Sequence, residues 1–314
     1  MARIEAVSVI MPAYNAMPYV REAVESILRQ TFRGIELIVV DDGSTDGTGA
    51  YLDSLTDPRV RVIRQANQGD AAASNAALRA AKHEWAARMD ADDVALPERI
   101  EREVAFLEAN PQYDLVGCGW GYIGPDGRRL KAVHRPQLSA PPRFQPLVDS
   151  MIVHPGLVYR RSAVLAAGGY ADDLAGDLDL CLKLDEAGLQ TAAIPDVLVL
   201  VRVLPKGVSS ENYIRQFVFV RYAREASLAR RRGEPVPDWS RYEQEHWPRG
   251  WRRMRAEGRR QFRLAGAAWA AGRAPAALLR LLASFVLRPD YVVRKLRLYF
   301  ASGSRPHEPP EPIE

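Results

Sequence analysis

Cysteine is nearly absent from this chain: Cys118 and Cys181 are the two in 314 residues, and they form no CxxC pair. That argues against a disulfide framework and a thiolate metal site, and for two buried apolar cysteines in a reducing compartment. The five histidines, His83, His134, His154, His246 and His307, show no metal-ligand spacing. No GxSxG or P-loop sequence occurs, which removes the usual signatures of a serine hydrolase and a P-loop NTPase. Nowhere are there about 18 uninterrupted apolar residues, so no membrane-spanning helix is expected. Residues 1–10 lack a long apolar core behind a basic start, so no secretory signal is expected either. The chain reads as a cytoplasmic protein, soluble or peripheral on the inner face of the membrane. What is present is ordinary globular material, 47% hydrophobic and 26% charged, which excludes wholesale disorder.

The formal net charge of +4 conceals an asymmetry. Residues 1–212 hold 22 Lys and Arg against 29 Asp and Glu, whereas residues 213–305 hold 21 against 7. An acidic part followed by a strongly basic part implies two jobs. We therefore expect a catalytic domain over 1–212, a basic amphipathic helical region over 213–301, and a disordered Pro- and Glu-rich tail over 302–314.

Within the first part, short apolar runs alternate with helical periodicity. Val7–Met11, Ile35–Val40, Val60–Ile63 and Trp85–Met89 read as strands. Val20, Val24, Ile27 and Leu28 recur at helical spacing, and Ala71–Ala81 is an alanine-rich helix. Such alternation implies crossover connections and a mostly parallel sheet flanked by helices, an α/β class. After Leu115 the pattern loosens, with Pro136, Pro141, Pro142 and Pro146 marking an irregular stretch. Regular elements return at Gly156–Tyr159 and from about Asp177 to Ala187.

Acidic clusters follow the strands, where ligands bind in sheets of this class. Asp90-Ala91-Asp92-Asp93 ends the Trp85–Met89 strand. If strand geometry persists, Asp90 and Asp92 point to the same side, an arrangement suited to a divalent cation held with substrate phosphates. The competing reading has Asp93 capping the helix that carries Pro97. Asp41-Asp42-Gly43-Ser44-Thr45-Asp46 could meet a ribose or base, or simply build a turn and cap. A third stretch, Asp172-Asp173 and Asp177-Leu178-Asp179, could supply a general base, or helix-start acids favoured by the macrodipole.

Taken together, these residues resemble a family 2 glycosyltransferase of the GT-A fold, over roughly residues 6–210. Four motifs stand in family order: Val9–Asn15 (VIMPAYN), Val39–Asp46 (VVDDGSTD), Asp90–Asp93 with Pro97 following, and Gly176-Asp177 before Leu180. The resemblance implies that Pro12, Ala13, Tyr14, Asn15, Asp41, Asp42 and Asn67 hold the nucleotide. Tyr14 would lie against the base and Asp42 would bond its edge. Asp90 and Ala91 should lie near the ribose, Asp92 with Asp90 should hold Mn²⁺ or Mg²⁺, and Asp177 should be the catalytic base. His154, in His154-Pro155-Gly156, matches an acceptor-side stretch, although a lone histidine is more often a satisfied structural residue. The implied reaction is inverting sugar transfer from a nucleotide-diphosphate sugar, UDP-linked as the first expectation, to a glycan or lipid-linked hydroxyl in polysaccharide or cell-envelope synthesis.

The chain also departs from the family. Ser74 stands where an arginine is usual, Gly176 where a glutamate is usual, and Leu204 where a histidine is usual. These losses motivate a second hypothesis, a catalytically silent nucleotide-sugar-binding protein. A nucleotidyltransferase ranks last, because no Gly/Lys-rich phosphate loop follows the first strand.

In the basic part, Arg249–Arg263 is dense in arginine with Trp247 and Trp251 interleaved. Leu278, Leu281, Leu282 and Phe285 form an apolar stripe with Arg280, Ser284 and Arg288 opposite. Val292, Val293, Leu296, Tyr299 and Phe300 repeat the pattern. Residues 249–300 therefore suit an anionic membrane surface. The alternative packs the stripes inward and leaves the arginines solvated, on the catalytic domain or in an oligomer. Nucleic acid is not expected as a partner.

Overall fold

The computed structural model describes residues 3–134, 153–171, 176–204, 212–270, 272–293 and 295. Among them a nine-stranded sheet organises the first part of the chain. The strands are β1 (Val7–Ala13), β2 (Ile35–Asp41), β3 (Val60–Arg64), β4 (Trp85–Arg88), β5 (Val94–Ala95), β6 (Leu115–Ile123), β7 (Arg129–His134), β8 (Leu157–Arg160) and β9 (Thr191–Arg202). Their spatial order is β3-β2-β1-β4-β8-β6-β9-β5, with β7 beside β6. The pairs β3/β2, β2/β1 and β1/β4 are parallel. The pairs β4/β8, β8/β6 and β9/β5 are antiparallel.

Helices α1 (Val20–Leu28), α2 (Thr48–Asp53), α3 (Asp70–Ala80), α4 (Arg99–Ala109), α5 (Arg161–Ala166) and α6 (Gly176–Glu186) belong to the same part. A 3₁₀ turn, His154–Gly156, leads into β8. Every residue of β1 and β2 is buried, as expected of parallel strands covered on both faces. Ile10, Ile38 and Val40 share a core cluster with Ala73, Ala77 and Leu78 of α3 and with Leu180, Cys181 and Leu184 of α6. Small alanines let α3 lie close to the sheet, while Val20, Val24 and Ile27 give α1 its buried stripe. Both cysteines are free and buried.

Several elements differ from the sequence reading. The Asp90–Asp93 segment does not continue the strand: β4 stops at Arg88, residues 91–92 form a turn, and the Asp93 N–H donates to the Asp90 carbonyl at 3.3 Å. Asp93 does not cap α4, whose N-cap is Glu98. Two strands, β6 and β7, occupy the start of the stretch where the pattern loosens, and a long strand, β9, follows α6. In β6, Gly119 is required by close approach, since a Cβ there would lie 2.8 Å from the His134 carbonyl oxygen and 2.9 Å from that of Asp196. The prolines at 136, 141, 142 and 146 lie outside the described residues.

The chain divides into two compact units, one of residues 1–121 and 132–201, the other of residues 122–131 and 202–308. The second contains α7 (Tyr213–Arg232), α8 (Trp239–His246), α9 (Gly250–Ala270) and α10 (Ala274–Leu287). Asp238 caps α8, its side chain accepting from the Arg241 N–H, and Gly233 ends α7 at φ +69°. Phe219, Tyr222, Trp239 and Tyr242 form an aromatic cluster with centroids 5.1–5.5 Å apart. Residues 296–314, including the expected tail, lie outside the described residues.

Candidate active site

Chain order runs outward from β1 to β2 to β3 and then returns to β4 on the other side of β1. The loops after β1 and β4 thus flank the point where strand order reverses, which is where open α/β sheets bind ligands. The register sets Ala13 beside Asp41, and Asp41 beside Arg64. Pro12 and Ala13 are buried, and Tyr14 emerges 51% exposed. Asn15 adopts φ +47°, a conformation asparagine tolerates better than most residues. From there its Oδ1 accepts the Thr45 N–H at 2.8 Å and the Asp46 N–H at 3.3 Å, while its own N–H donates to Ser44 Oγ at 3.0 Å. The VIMPAYN and VVDDGSTD motifs are thus stitched together by one asparagine.

The first two aspartates of the second motif are both buried and both engaged. Asp41 Oδ1 accepts the Ser44 N–H at 3.0 Å, and Arg64 Nη1 lies 3.4 Å from Oδ2. Asp42 accepts Gln65 Nε2 at 2.7 Å, the Gln68 N–H at 2.9 Å and the Gly69 N–H at 2.8 Å. It thereby holds the 65–69 loop, with exposed Asn67 at its crest, against the start of α3. Gly43 permits this arrangement: its φ is +75°, and a Cβ would lie 2.8 Å from the Asn67 nitrogen. Burial alone would raise the Asp46 carboxyl, but hydrogen bonds from Thr48 and Met17 outweigh it and hold the pKa below the ordinary range.

Arg88, the last residue of β4, was not singled out by the sequence. Its side chain is 1% exposed and meets two carboxylates, Asp70 Oδ1 at 2.8 Å and Asp90 Oδ1 at 2.7 Å. Its Nε also donates to His154 Nε2 at 3.3 Å, and its Nη1 to the Met89 carbonyl at 2.9 Å. Burial opposes the charge, yet the two aspartates outweigh it and raise the Arg88 pKa. Beneath β4, Arg99 of α4 donates through Nη2 to the Arg88 carbonyl at 2.9 Å and the Leu157 carbonyl at 3.3 Å, and pairs with buried Glu103 at 3.1 Å. The strand carrying the acidic turn is therefore held by arginines from both ends of that turn's sequence.

His154 is half-buried at the 3₁₀ turn, its ring 5.2 Å from Tyr170. Burial, reinforced by Arg88, pushes its pKa well below the ordinary 6.5. With Arg88 donating to Nε2, the neutral ring carries its proton on Nδ1. Tyr170 bonds the Tyr159 hydroxyl at 2.9 Å, and Asn75 of α3 clasps the Tyr170 backbone through two hydrogen bonds of 2.8 and 2.9 Å. Ser74 is buried, its Oγ donating to the Asp70 carbonyl at 2.7 Å. The structure thus gathers Pro12–Asn15, Asp41, Asp42 and the Asn67 loop in one hydrogen-bonded group, and Asp90 and His154 in a second around Arg88 and Asp70, with the chain neighbours Gly69 and Asp70 connecting the two. Ala91 is buried, and Asp92 is half-buried in the turn.

Asp177 stands in the first turn of α6, but its side chain lies outside what the structure describes, as do residues 172–175. Asp179, from the same stretch, pairs with Lys183 at 2.6 Å. In the other unit, Arg202 is buried with Nη1 on the Gly124 carbonyl at 3.0 Å. A concavity of about 570 Å³ at the opposite, amino-terminal edge of β1 and β4 contains none of these residues.

Among the described residues no three or more His, Cys, Asp or Glu side chains form a metal cluster. Mg²⁺ or Mn²⁺ can be held by one or two carboxylates, with substrate phosphates supplying the remaining oxygens. Asp92 and Asp90, on one closed turn, are the carboxylates such a site would use, and Asp90 is already paired with Arg88.

The pattern of Glycosyl transferase family 2 matches residues 8–166. The chain belongs to that family. It is 34% identical over 209 residues to the glycosyltransferase EpsE of Bacillus subtilis (strain 168), covering 62% of this chain and 72% of the relative. A glycosyltransferase of Haemophilus influenzae is 31% identical over 219 residues, covering 67% and 80%. Longer relatives are matched only in part: this glycosyltransferase spans 19% of the Pasteurella multocida chondroitin synthase. Its fold resembles S. aureus TarS solved with UDP-GlcNAc (TM-score 0.58, 19% identity, 90% of this chain and 92% of that one). It also resembles the mannosyltransferase PcManGT of Pyrobaculum calidifontis in complex with GDP-Man and Mn²⁺ (TM-score 0.59, 23% identity, 96% and 81%). The α/β architecture is the GT-A fold expected from the sequence.

Proposed function

We propose that this glycosyltransferase moves a sugar from a nucleotide-diphosphate sugar, a UDP-sugar first among them, to a hydroxyl of a glycan or lipid-linked acceptor, with inversion. The observation that carries the reading is the gathering of the Pro12–Asn15, Asp41–Asp46 and Asp90–Asp92 segments at the carboxyl ends of β1, β2 and β4. Tyr14 offers an exposed aromatic face to the base. Pro12, Ala13, Asn15, Asp41, Asp42 and Asn67 shape the nucleotide cradle, and Asp90 and Ala91 border the ribose. Asp92 with Asp90 would hold a divalent cation, Mn²⁺ or Mg²⁺, whose charge favours departure of the diphosphate. Asp177 takes the proton from the acceptor hydroxyl as that oxygen bonds to the anomeric carbon and the carbon–oxygen bond to the diphosphate breaks. His154 lies on the acceptor side of this cradle.

The basic balance of the second part supports work at an anionic membrane surface through residues 249–300. No described helix is long and apolar enough to cross a membrane, so the association proposed is peripheral.

The test is calorimetric binding of UDP, GDP, dTDP and CDP with and without Mn²⁺, on the wild type and on Asp92→Ala. One nucleotide bound in a metal- and Asp92-dependent manner is expected. Turnover of the matching sugar nucleotide should then vanish in Asp177→Ala while donor binding persists. Binding without turnover in the wild type would instead favour the silent sugar-nucleotide binder.

A further inference from the structure

Helix α10 is turned inside out for a helix of a soluble unit. Its buried positions are Ala277 and Ser284, with Arg288 buried just beyond its end. The polar side chains of that face look inward onto α9: Ser284 Oγ donates to the Gly258 carbonyl at 2.7 Å, and Arg280 Nη1 to Gln261 Oε1 at 3.1 Å. Leu278, Leu279, Leu282, Phe285 and Val286 are the exposed residues, at 59%, 70%, 55%, 46% and 79%. Their spacing of i, i+1, i+4, i+7 and i+8 makes one continuous stripe on the helix. Trp269, at the end of α9 before the turn into α10, is 70% exposed as well. A contiguous apolar face of this kind marks an interaction surface.

The charge around the stripe identifies what it meets. Residues 249–295 contain twelve Lys and Arg and two acidic residues, Glu257 and Asp290. Arg249, Arg253 and Arg273 are exposed. Two such hairpins facing each other would bring like charges together, which opposes a second copy of the chain. An anionic lipid surface accepts both properties at once, apolar side chains below the headgroups and guanidinium groups among them, with tryptophan at the boundary.

We propose that the outward stripe of α10, with Trp269, inserts into the surface of an anionic membrane. This deepens the membrane part of the proposed function and stands on the hairpin alone, without reference to the donor.

The experiment uses the whole chain and sedimentation with vesicles of phosphatidylcholine, alone or mixed with phosphatidylglycerol. The wild type should sediment with the mixed vesicles and much less with phosphatidylcholine. Leu278→Ser/Leu282→Ser/Phe285→Ser should lose about tenfold or more of that affinity, and Arg253→Gln/Arg273→Gln should weaken it severalfold and flatten its salt dependence. Equal binding by the triple variant, or no wild-type binding to either vesicle, would overturn the proposal. A wild-type dimer that becomes monomeric in the triple variant would also overturn it, in favour of a second copy. So would a fall in the variant's thermal midpoint, because it would mean that the chain itself covers the stripe. Nucleotide binding measured on the same preparations separates the two readings, since the triple variant should bind the donor nucleotide as the wild type does.

Discussion

Arg88 and Asp90, two residues apart at the end of β4, are joined by an ion pair of 2.7 Å, and the same guanidinium holds Asp70 at 2.8 Å. The arginine is 1% exposed while the carboxylates are 61% and 30% exposed, so the buried partner is the cation. Removing one carboxylate leaves the other in place; removing both leaves a buried charge uncompensated. Asp70→Asn and Asp90→Asn should each cost modestly, and together about 3–5 kcal/mol, more than their sum. Denaturant unfolding of the two single variants and the double variant checks this. Strict additivity would mean that the two carboxylates do not share the arginine.

His154 supplies a pH dependence of definite sign. A histidine whose pKa is depressed by burial and by Arg88 binds fewer protons in the folded state. Its contribution is fully present above the unfolded value near 6.5 and is lost as pH falls below it, by up to about 1.4 kcal/mol per pH unit. His154→Gln, which can still accept from Arg88, should flatten stability below pH 6.5. An unchanged acid limb in urea titrations would count against a neutral ring.

Parts of this were legible in the sequence and parts were not. Strands Val7–Ala13, Ile35–Asp41 and Trp85–Arg88, and the acidic turns after them, are local patterns of period and punctuation. Arg88 is not, because a buried arginine looks like a surface one until its partners arrive from 18 and 66 residues away. The strand β6 hides behind Gly117, Gly119 and Gly121, which lower strand propensity, although Gly119 lets neighbouring backbones approach. The amphipathic pattern of α10 is readable, but which of its faces meets solvent is a tertiary fact that periodicity cannot supply.

Glu103 titrates in the opposite direction to His154. Burial pushes its carboxyl up to about 7, although Arg99 and the Cys118 thiol pull it down. The native state therefore holds this proton more tightly than the unfolded chain, whose carboxyl titrates near 4.5. Stability from this group is greatest below the unfolded value and declines as pH climbs to about 7. Glu103→Gln should remove that decline, while Arg99→Met should destabilise at every pH by freeing the Arg88 and Leu157 carbonyls. Thermal unfolding across pH 4–8 distinguishes the two.

Asp42 and Gly43 together set the 65–69 loop. Asp42→Ala removes three accepted hydrogen bonds from Gln65, Gln68 and Gly69, and faster amide exchange at Gln68 and Gly69 is the expected result. Gly43→Val imposes φ +75° on a β-branched residue and drives its Cβ to 2.8 Å from Asn67, at a cost of about 1–3 kcal/mol or more. Nucleotide affinity should fall in both variants. A loop unchanged in exchange would show that Asp42 is spare as a scaffold and acts on ligand alone.

The α9–α10 hairpin depends on a small-residue seam rather than an apolar one. A Cβ on Gly258 would stand 2.9 Å from the Arg288 Cβ and 3.2 Å from the Leu287 Cβ, so the helices touch through the glycine backbone, where Ser284 also bonds. Gly258→Leu must force them apart, with an overpacking cost of about 1–3 kcal/mol and loss of the Ser284 hydrogen bond. Gly258→Ala should be milder but still unfavourable, because the clash is with Cβ atoms fixed to backbone rather than with flexible side-chain ends. Ser284→Ala, by contrast, leaves the packing intact and removes one hydrogen bond to a carbonyl in the middle of α9, so it should cost less than Gly258→Leu. That ranking, read from thermal midpoints, follows from steric contact outweighing a single hydrogen bond; the reverse order would mean that the seam is held by polarity instead.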